Sequence, residues 1–209
     1  MNIRSILHEA APVMPVLTIE ESELAVPLAE ALVAGGMRAV EVTLRTPVAI
    51  AAIANIRQAL PELIVGAGTV VTPRLMHEVQ KAGGQFAVSP GFSTALGAAA
   101  QECGLPFLPG VVTASEIQIA MEHGLENLKF FPAEHAGGVK LLSSYASVFA
   151  DIRFCPTGGI REDNMAHYLE LSNVTCVGGS WIAPRDMIAK QNWNSISKRA
   201  AKAMSAVNE

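Results

Sequence analysis

At 209 residues, half of them hydrophobic and 16% charged, the chain is long enough to bury a large core within one α/β domain. A net charge of −4 offers no basic surface for nucleic acid, and no apolar run approaches the roughly eighteen residues of a membrane span. Three widely spaced cysteines without a CxxC pair (Cys103, Cys155, Cys176), and an N-terminus without a signal-peptide apolar core, read as a cytoplasmic protein with reduced thiols.

The first twelve residues read as a short leading helix ending near Pro12. Residues 13–19 are a compact apolar run, the first strand. Glu20, Glu21 and Ser22 open a helix with Leu24, Leu28 and Leu32 on one face, and Gly35-Gly36 ends it. Residues 39–45 are a second strand whose side chains alternate. Val40, Val42 and Leu44 point one way; Glu41, Thr43 and Arg45 point the other. A helix follows over 47–60, with Pro47 in its first turn. The third strand is 64–69, with a helix over 73–81 closed by Gly83-Gly84. The fourth is 85–90, before a helix over 93–102, and the fifth is 106–111, before a helix over 115–124.

The next stretch, Asn127-Leu128-Lys129-Phe130-Phe131-Pro132-Ala133-Glu134, is an apolar run with aromatics closed by proline, and so a buried sixth strand. Lys129 stands in its middle. Lysine is almost never fully buried without a partner or a task. Burial disfavours the charged form of a lysine and frees a nucleophilic amine, which Schiff-base chemistry on a carbonyl requires. The competing account is a strand-end lysine that snorkels into water. Beyond it lie a helix over 137–150, a seventh strand with its loop over 153–159, a helix over 163–171, an eighth strand over 174–180 and a helical tail over 185–207.

Strict strand-then-helix alternation implies parallel strands with right-handed crossovers. Eight such units, with no linker or low-complexity segment between them, imply a single-domain (β/α)8 TIM barrel over residues 1–209, preceded by a short N-terminal helix. The rival, a doubly wound open sheet, carries a GxGxxG turn after its first strand. The turn after Ile19 has no glycine, and Gly66-Ala67-Gly68 lacks the third.

In a barrel the carboxyl ends of the strands meet at one face. If the Glu41 side of its strand faces inward, a carboxylate and the Arg45 guanidinium are buried near Lys129. Such a network either locks the barrel or serves chemistry, and buried ion networks are often neutral or costly for stability. The chemical assignment gives Lys129 the attack on a ketone and Glu41 the proton transfers. Arg45 presents a planar fork to a carboxylate, and Thr69 adds a hydroxyl. Those groups suit a 2-keto acid held as an imine. Thr157-Gly158-Gly159 and Gly178-Gly179-Ser180 follow the seventh and eighth strands, where barrels often bind phosphate through closely approaching backbone N–H groups. His8, His77, His123 and His167 fall away from that face, while His135 stands near the mouth. No His/Asp/Glu group has metal-ligand spacing, so neither metal nor other cofactor is expected. Cys155 and Cys176 read as packing residues.

The segments Glu41-Val42-Thr43-Leu44-Arg45, Val65-Gly66-Ala67-Gly68-Thr69, Ser89-Pro90-Gly91, Lys129 to Glu134, Phe154-Cys155-Pro156-Thr157-Gly158-Gly159 and Gly178-Gly179-Ser180-Trp181 together resemble one family. It is the class I 2-keto-3-deoxy-6-phosphogluconate (KDPG) / 4-hydroxy-2-oxoglutarate (KHG) aldolases, and the resemblance covers nearly the whole chain. It implies that Lys129 is the Schiff-base lysine and Glu41 the general acid/base. Arg45 and Thr69 would hold the pyruvate carboxylate, Phe131 would pack beside the imine and Pro90 would line the pocket. Thr157, Gly158, Gly159, Gly179 and Ser180 would receive the phosphate or distal end. The resemblance further implies reversible cleavage of KDPG to pyruvate and glyceraldehyde 3-phosphate, as in the Entner–Doudoroff pathway. Cleavage of 4-hydroxy-2-oxoglutarate to pyruvate and glyoxylate, a homotrimer and no metal are implied as well. Two other classes stay open on the residues alone: a phosphate-binding isomerase or epimerase with Glu41 as base and no imine, and a non-catalytic sugar-phosphate-binding barrel. Imine formation on Lys129 separates them.

Overall fold

The computed structural model describes residues 1–205, so positions 206 and 207 of the expected helical tail lie outside the described residues. Helix α1 (Ile3–Ala10) starts at Asn2, whose side chain accepts a hydrogen bond from the Ser5 N–H at 2.8 Å and satisfies a free donor of the first turn. The strands are β1 (Val13–Leu17), β2 (Ala39–Thr43), β3 (Ile64–Gly68), β4 (Ala87–Val88), β5 (Phe107–Leu108), β6 (Gly110–Val111), β7 (Asn127–Phe130), β8 (Arg153–Pro156) and β9 (Val177–Gly179). Between them run α2 (Ala25–Ala34), α3 (Ala49–Ala59), α4 (Pro73–Lys81), α5 (Thr94–Cys103), α6 (Ala114–Glu122), α7 (Gly138–Val148) and α8 (Met165–Leu169); α9 (Arg185–Ala189) and α10 (Trp193–Ser205) close the chain. No helix among the described residues is long and apolar enough to cross a membrane.

Six strands form one curled parallel sheet in the order β5-β4-β3-β2-β1-β9, and three form a second in the order β6-β7-β8. The fifth expected strand therefore comes as two short pieces, one in each sheet, parted by Pro109. Proline has no N–H for a ladder, and the next residue, Gly110, passes so close to the Pro90 carbonyl that a Cβ there would collide with it. Isolated parallel bridges join Phe154 to Val174 and Thr157 to Gly178. Two other expectations shift. Pro47 stands ahead of α3 rather than in its first turn, and the tail is two helices broken at Gln191, which has a positive φ of 52°.

The alternation read from the second strand holds, and the packing shows why. Val40 and Val42 join the large apolar layer between sheet and helices, while Ala39 joins a smaller cluster on the inner, concave side. Leu128 and Phe130 likewise face the helices, with Lys129 turned inward. The inner cluster is built from residues at or near strand starts (Met14, Ile64, Phe86, Cys176) and is covered by Ile6, Leu7 and Ala10 of α1. The leading helix thus closes the amino end of the curled sheet with apolar side chains. Above that floor the inner side chains become polar: Glu41 and Thr43 on β2, Lys129 on β7, and Thr157 just past β8. Cys155 and Cys176 face each other within the floor, their sulfurs 3.6 Å apart as free thiols. The Cys155 contact and burial push the Cys176 thiol well up, as fits packing groups.

Candidate active site

Glu41 and Lys129 are the charged side chains among the buried residues described, at 3% and 5% exposure. They meet although 88 positions separate them: Lys129 Nζ donates to Glu41 Oε1 at 3.3 Å. That is long beside the roughly 2.7–2.9 Å of a tight charge-assisted bond, so the amine is held near the carboxylate without being locked to it. Burial rules out snorkelling into water. An ion pair in this setting is poor evidence for stability alone, because desolvation offsets its Coulomb gain.

The space for this pair comes from a neighbouring strand. Gly68 of β3 stands beside Thr43 of β2 in the parallel register, and a Cβ at Gly68 would collide with Glu41 Oε1. The Gly66-Ala67-Gly68 stretch thus has a use unrelated to dinucleotide binding. Gly68→Ala is expected to push the carboxylate off its position and lower kcat by up to about 100-fold. The same crowding would cost about 1–3 kcal/mol of stability. Steady-state kinetics and a thermal melt on the variant check both.

Arg45 departs from expectation. It is exposed, not buried beside Lys129, because β2 ends at Thr43 and the chain turns out of the sheet there. Its Nε donates to Thr69 Oγ1 at 3.2 Å, so the two residues read as a carboxylate clamp do meet, at the mouth. Thr69 holds a positive φ of 61°, an outlier for a β-branched residue and a strain of the kind found at functional sites. Below them Thr43 donates to the Leu17 carbonyl at 2.8 Å, and Thr18 then donates to Thr43 at 3.0 Å.

Phe131 presents its ring to the amine, with Lys129 Nζ 5.2 Å from the centroid, a cation–π distance. Thr157 is buried on the inner side, its Oγ1 over Gly178, where a Cβ would strike it. Gly158 and Gly159 have φ of 98° and 79°, a left-handed turn that admits glycine readily. Gly179 lies buried at the end of β9 against Trp181, Ser180 is exposed beyond it, and Pro90 is exposed over Gly110. His135 is exposed after β7.

A cleft of about 480 Å³ at the mouth brings Arg45, Gly159 and Ser180 together with Thr18, Arg161 and Arg185. The last three went unread in the sequence, because a lone threonine and two isolated arginines carry no pattern. Arg161 pairs with Asp163 at 3.0 Å and Arg185 with Glu20 at 3.5 Å, both exposed. A larger cavity, about 840 Å³, lies elsewhere, between the start of α1 and the helices α5 and α6, away from these charges. Among the described residues no group of three His, Cys, Asp or Glu side chains could hold a metal ion.

A buried amine touching one carboxylate, with a hydrogen-bonded arginine–threonine pair above and a glycine loop beside it, has the groups needed to form and discharge an imine with a keto acid. The family model for KDPG and KHG aldolase matches residues 3–199. The chain belongs to that family. It is 50% identical over 193 residues to the KHG/KDPG aldolase of Escherichia coli K12, a match covering 92% of this chain and 91% of the relative. Among solved structures it is similar to the KDPG aldolase of Legionella pneumophila, at 46% identity and TM-score 0.93, covering 96% of this chain and 97% of that one. That relative was crystallised with pyruvate captured at low pH as a covalent carbinolamine. The KDPG aldolase of Zymomonas mobilis with 3-phosphoglycerate is similar at 45% identity and TM-score 0.91, covering 97% and 95%.

Proposed function

We propose that this family member is a class I aldolase that reversibly cleaves KDPG to pyruvate and glyceraldehyde 3-phosphate, and 4-hydroxy-2-oxoglutarate to pyruvate and glyoxylate. The observation that carries the reading is Lys129, buried and within 3.3 Å of a single buried carboxylate. In the cleavage direction the Lys129 amine attacks the C2 carbonyl carbon and forms a carbinolamine. Glu41 gives a proton to its hydroxyl, which leaves as water, and a protonated imine remains. The Glu41 carboxylate then takes the C4 hydroxyl proton. The C3–C4 bond breaks, its electrons pass into the imine to give an enamine, and the aldehyde departs. Protonation at C3 and hydrolysis return pyruvate and the free amine.

Arg45 and Thr69 hold the keto-acid carboxylate, Phe131 packs against the imine and Pro90 lines the pocket. Thr157, Gly158, Gly159, Gly179 and Ser180 receive the distal end. Clamp chemistry supplies one expected result: Arg45→Lys keeps the charge and loses the fork, so KM for the keto acid rises about tenfold, and Arg45→Ala raises it about 100-fold. Initial-rate kinetics over a substrate series measure it.

We read the two sheets as one closed (β/α)8 barrel and residues 1–209 as a single domain. The reading is supported by β5 and β6 following one another across Pro109, and by the bridge from Thr157 to Gly178 at the other seam. The resemblance supports a homotrimer, and three free thiols fit a reducing cytoplasm. The activity is tested by mixing the protein with pyruvate and borohydride, then taking an intact mass and a peptide map. A reduced pyruvyl adduct on Lys129 is expected. Folded protein without an adduct would sink the imine mechanism.

A further inference from the structure

Glu134 ends the stretch that contains Lys129, and the imine chemistry makes no use of it. Its N–H donates to the Gly158 carbonyl at 3.1 Å, one step after Ala133 donates to Thr157 at 2.8 Å. Its side chain then crosses over Gly159, where a Cβ would fall 2.6 Å from Glu134 Cβ and Cγ. Beyond that glycine, Glu134 Oε1 accepts a hydrogen bond from the Tyr168 hydroxyl, 34 positions away on α8. Tyr168 is 0% exposed. Gly138, at the start of α7, closes the group: a Cβ there would stand 3.1 Å from the Tyr168 hydroxyl and 3.4 Å from Glu134 Oε1.

A buried hydroxyl needs a partner, and a core tyrosine satisfied by any nearby acceptor would meet that need. Here the acceptor is a side chain lying across the loop it fastens. Gly158 and Gly159 have no side chains of their own to hold a left-handed turn in place. The turn is held by two backbone bonds from residues 133 and 134, by Asn164 Nδ2 and Arg161 Nη1 donating to the Gly159 carbonyl at 3.1 and 3.4 Å from its solvent side, and by the Glu134 stem, whose far end is tied to the core.

We propose that Glu134 and Tyr168 form a clamp that fixes the Gly158-Gly159 turn for the phosphorylated end of the substrate. They are positioning residues, acting through that turn's backbone rather than on the reacting atoms. The inference rests on the aldolase reading above. Burial, then the Glu134 bond, push the Tyr168 hydroxyl well above its ordinary value, so it remains a donor across the working range.

Tyr168→Phe keeps the ring in the core and deletes only the hydroxyl. KM for KDPG is expected to rise about tenfold, while kcat/KM for the phosphate-free 4-hydroxy-2-oxoglutarate stays within about twofold. The rate of borohydride trapping of pyruvate on Lys129 stays unchanged, and it serves as the phosphate-free comparison should the wild type cleave KDPG alone. Glu134→Gln retains an acceptor and recovers most of the KDPG KM, whereas Glu134→Ala does not. A loss shared equally by phosphorylated and phosphate-free reactions, or no loss in either, overturns the clamp. Wild-type protein that forms no pyruvyl adduct overturns the aldolase reading instead.

Discussion

Lys129→Met abolishes measurable aldol cleavage, with a loss on the order of 10⁴–10⁶ in kcat, the scale seen when a covalent nucleophile is deleted. No pyruvyl adduct forms under borohydride. Methionine matches the length of the lysine stem, so the inner wall stays filled, but the Glu41 carboxylate is left buried without its cation. Removing one partner of a buried pair costs about 3–5 kcal/mol. The single variant is therefore both inactive and less stable. Lys129→Met combined with Glu41→Gln removes both charges and should recover much of that stability while remaining inactive. Denaturant melts of the single and double variants, run beside activity assays, separate the two contributions. Residual turnover within about tenfold of wild type would remove Lys129 from the mechanism, because no other step compensates for a missing imine.

Glu41→Gln keeps the shape of the side chain and removes its ability to carry a proton. A positioned acid/base contributes about 10²–10⁴, and kcat should fall by that factor. Attack of the amine on pyruvate does not itself require the carboxylate, so the trapped adduct still forms, more slowly. The two readouts thus move by different amounts, which an unfolded or misassembled protein would not produce. Undiminished turnover would mean that another group moves the protons. An isomerase that uses Glu41 as base without an imine would lose turnover in this variant too, yet would give no adduct in either form, so the pair of measurements distinguishes the chemistries.

Much of this site could be read along the chain because its signals are local. Period-two alternation put Glu41 on the side of its strand opposite Val40 and Val42 without saying which side is inner, and the packing decides it: Val40, Val42, Leu128 and Phe130 turn toward the helices, leaving Glu41 and Lys129 inside. Glycine and proline marked most element ends within a few residues. What escaped depends on contacts between distant segments. Arg45 continues the alternation on paper, but the strand stops at Thr43 and the side chain emerges at the mouth. Gly68 looked idle because the carboxylate it accommodates comes from the adjacent strand. The left-handed backbone of Thr69 is imposed against the preference of a β-branched residue. Tyr168 and Glu134 announce nothing, since each is ordinary until the fold joins them.

The leading helix carries a last consequence. Ile6, Leu7 and Ala10 stop up one end of the curled sheet, and in the closed barrel proposed above the chamber over them is a blind well. Traffic through a single door is ordered: whatever sits deepest arrives first and departs last. Pyruvate, fastened to an amine near the floor, must wait for the aldehyde to clear the doorway. In the condensing direction the keto acid must be seated before the aldehyde can follow it in. A stopper of apolar side chains, remote from every reacting atom, thereby dictates the sequence of entry and exit.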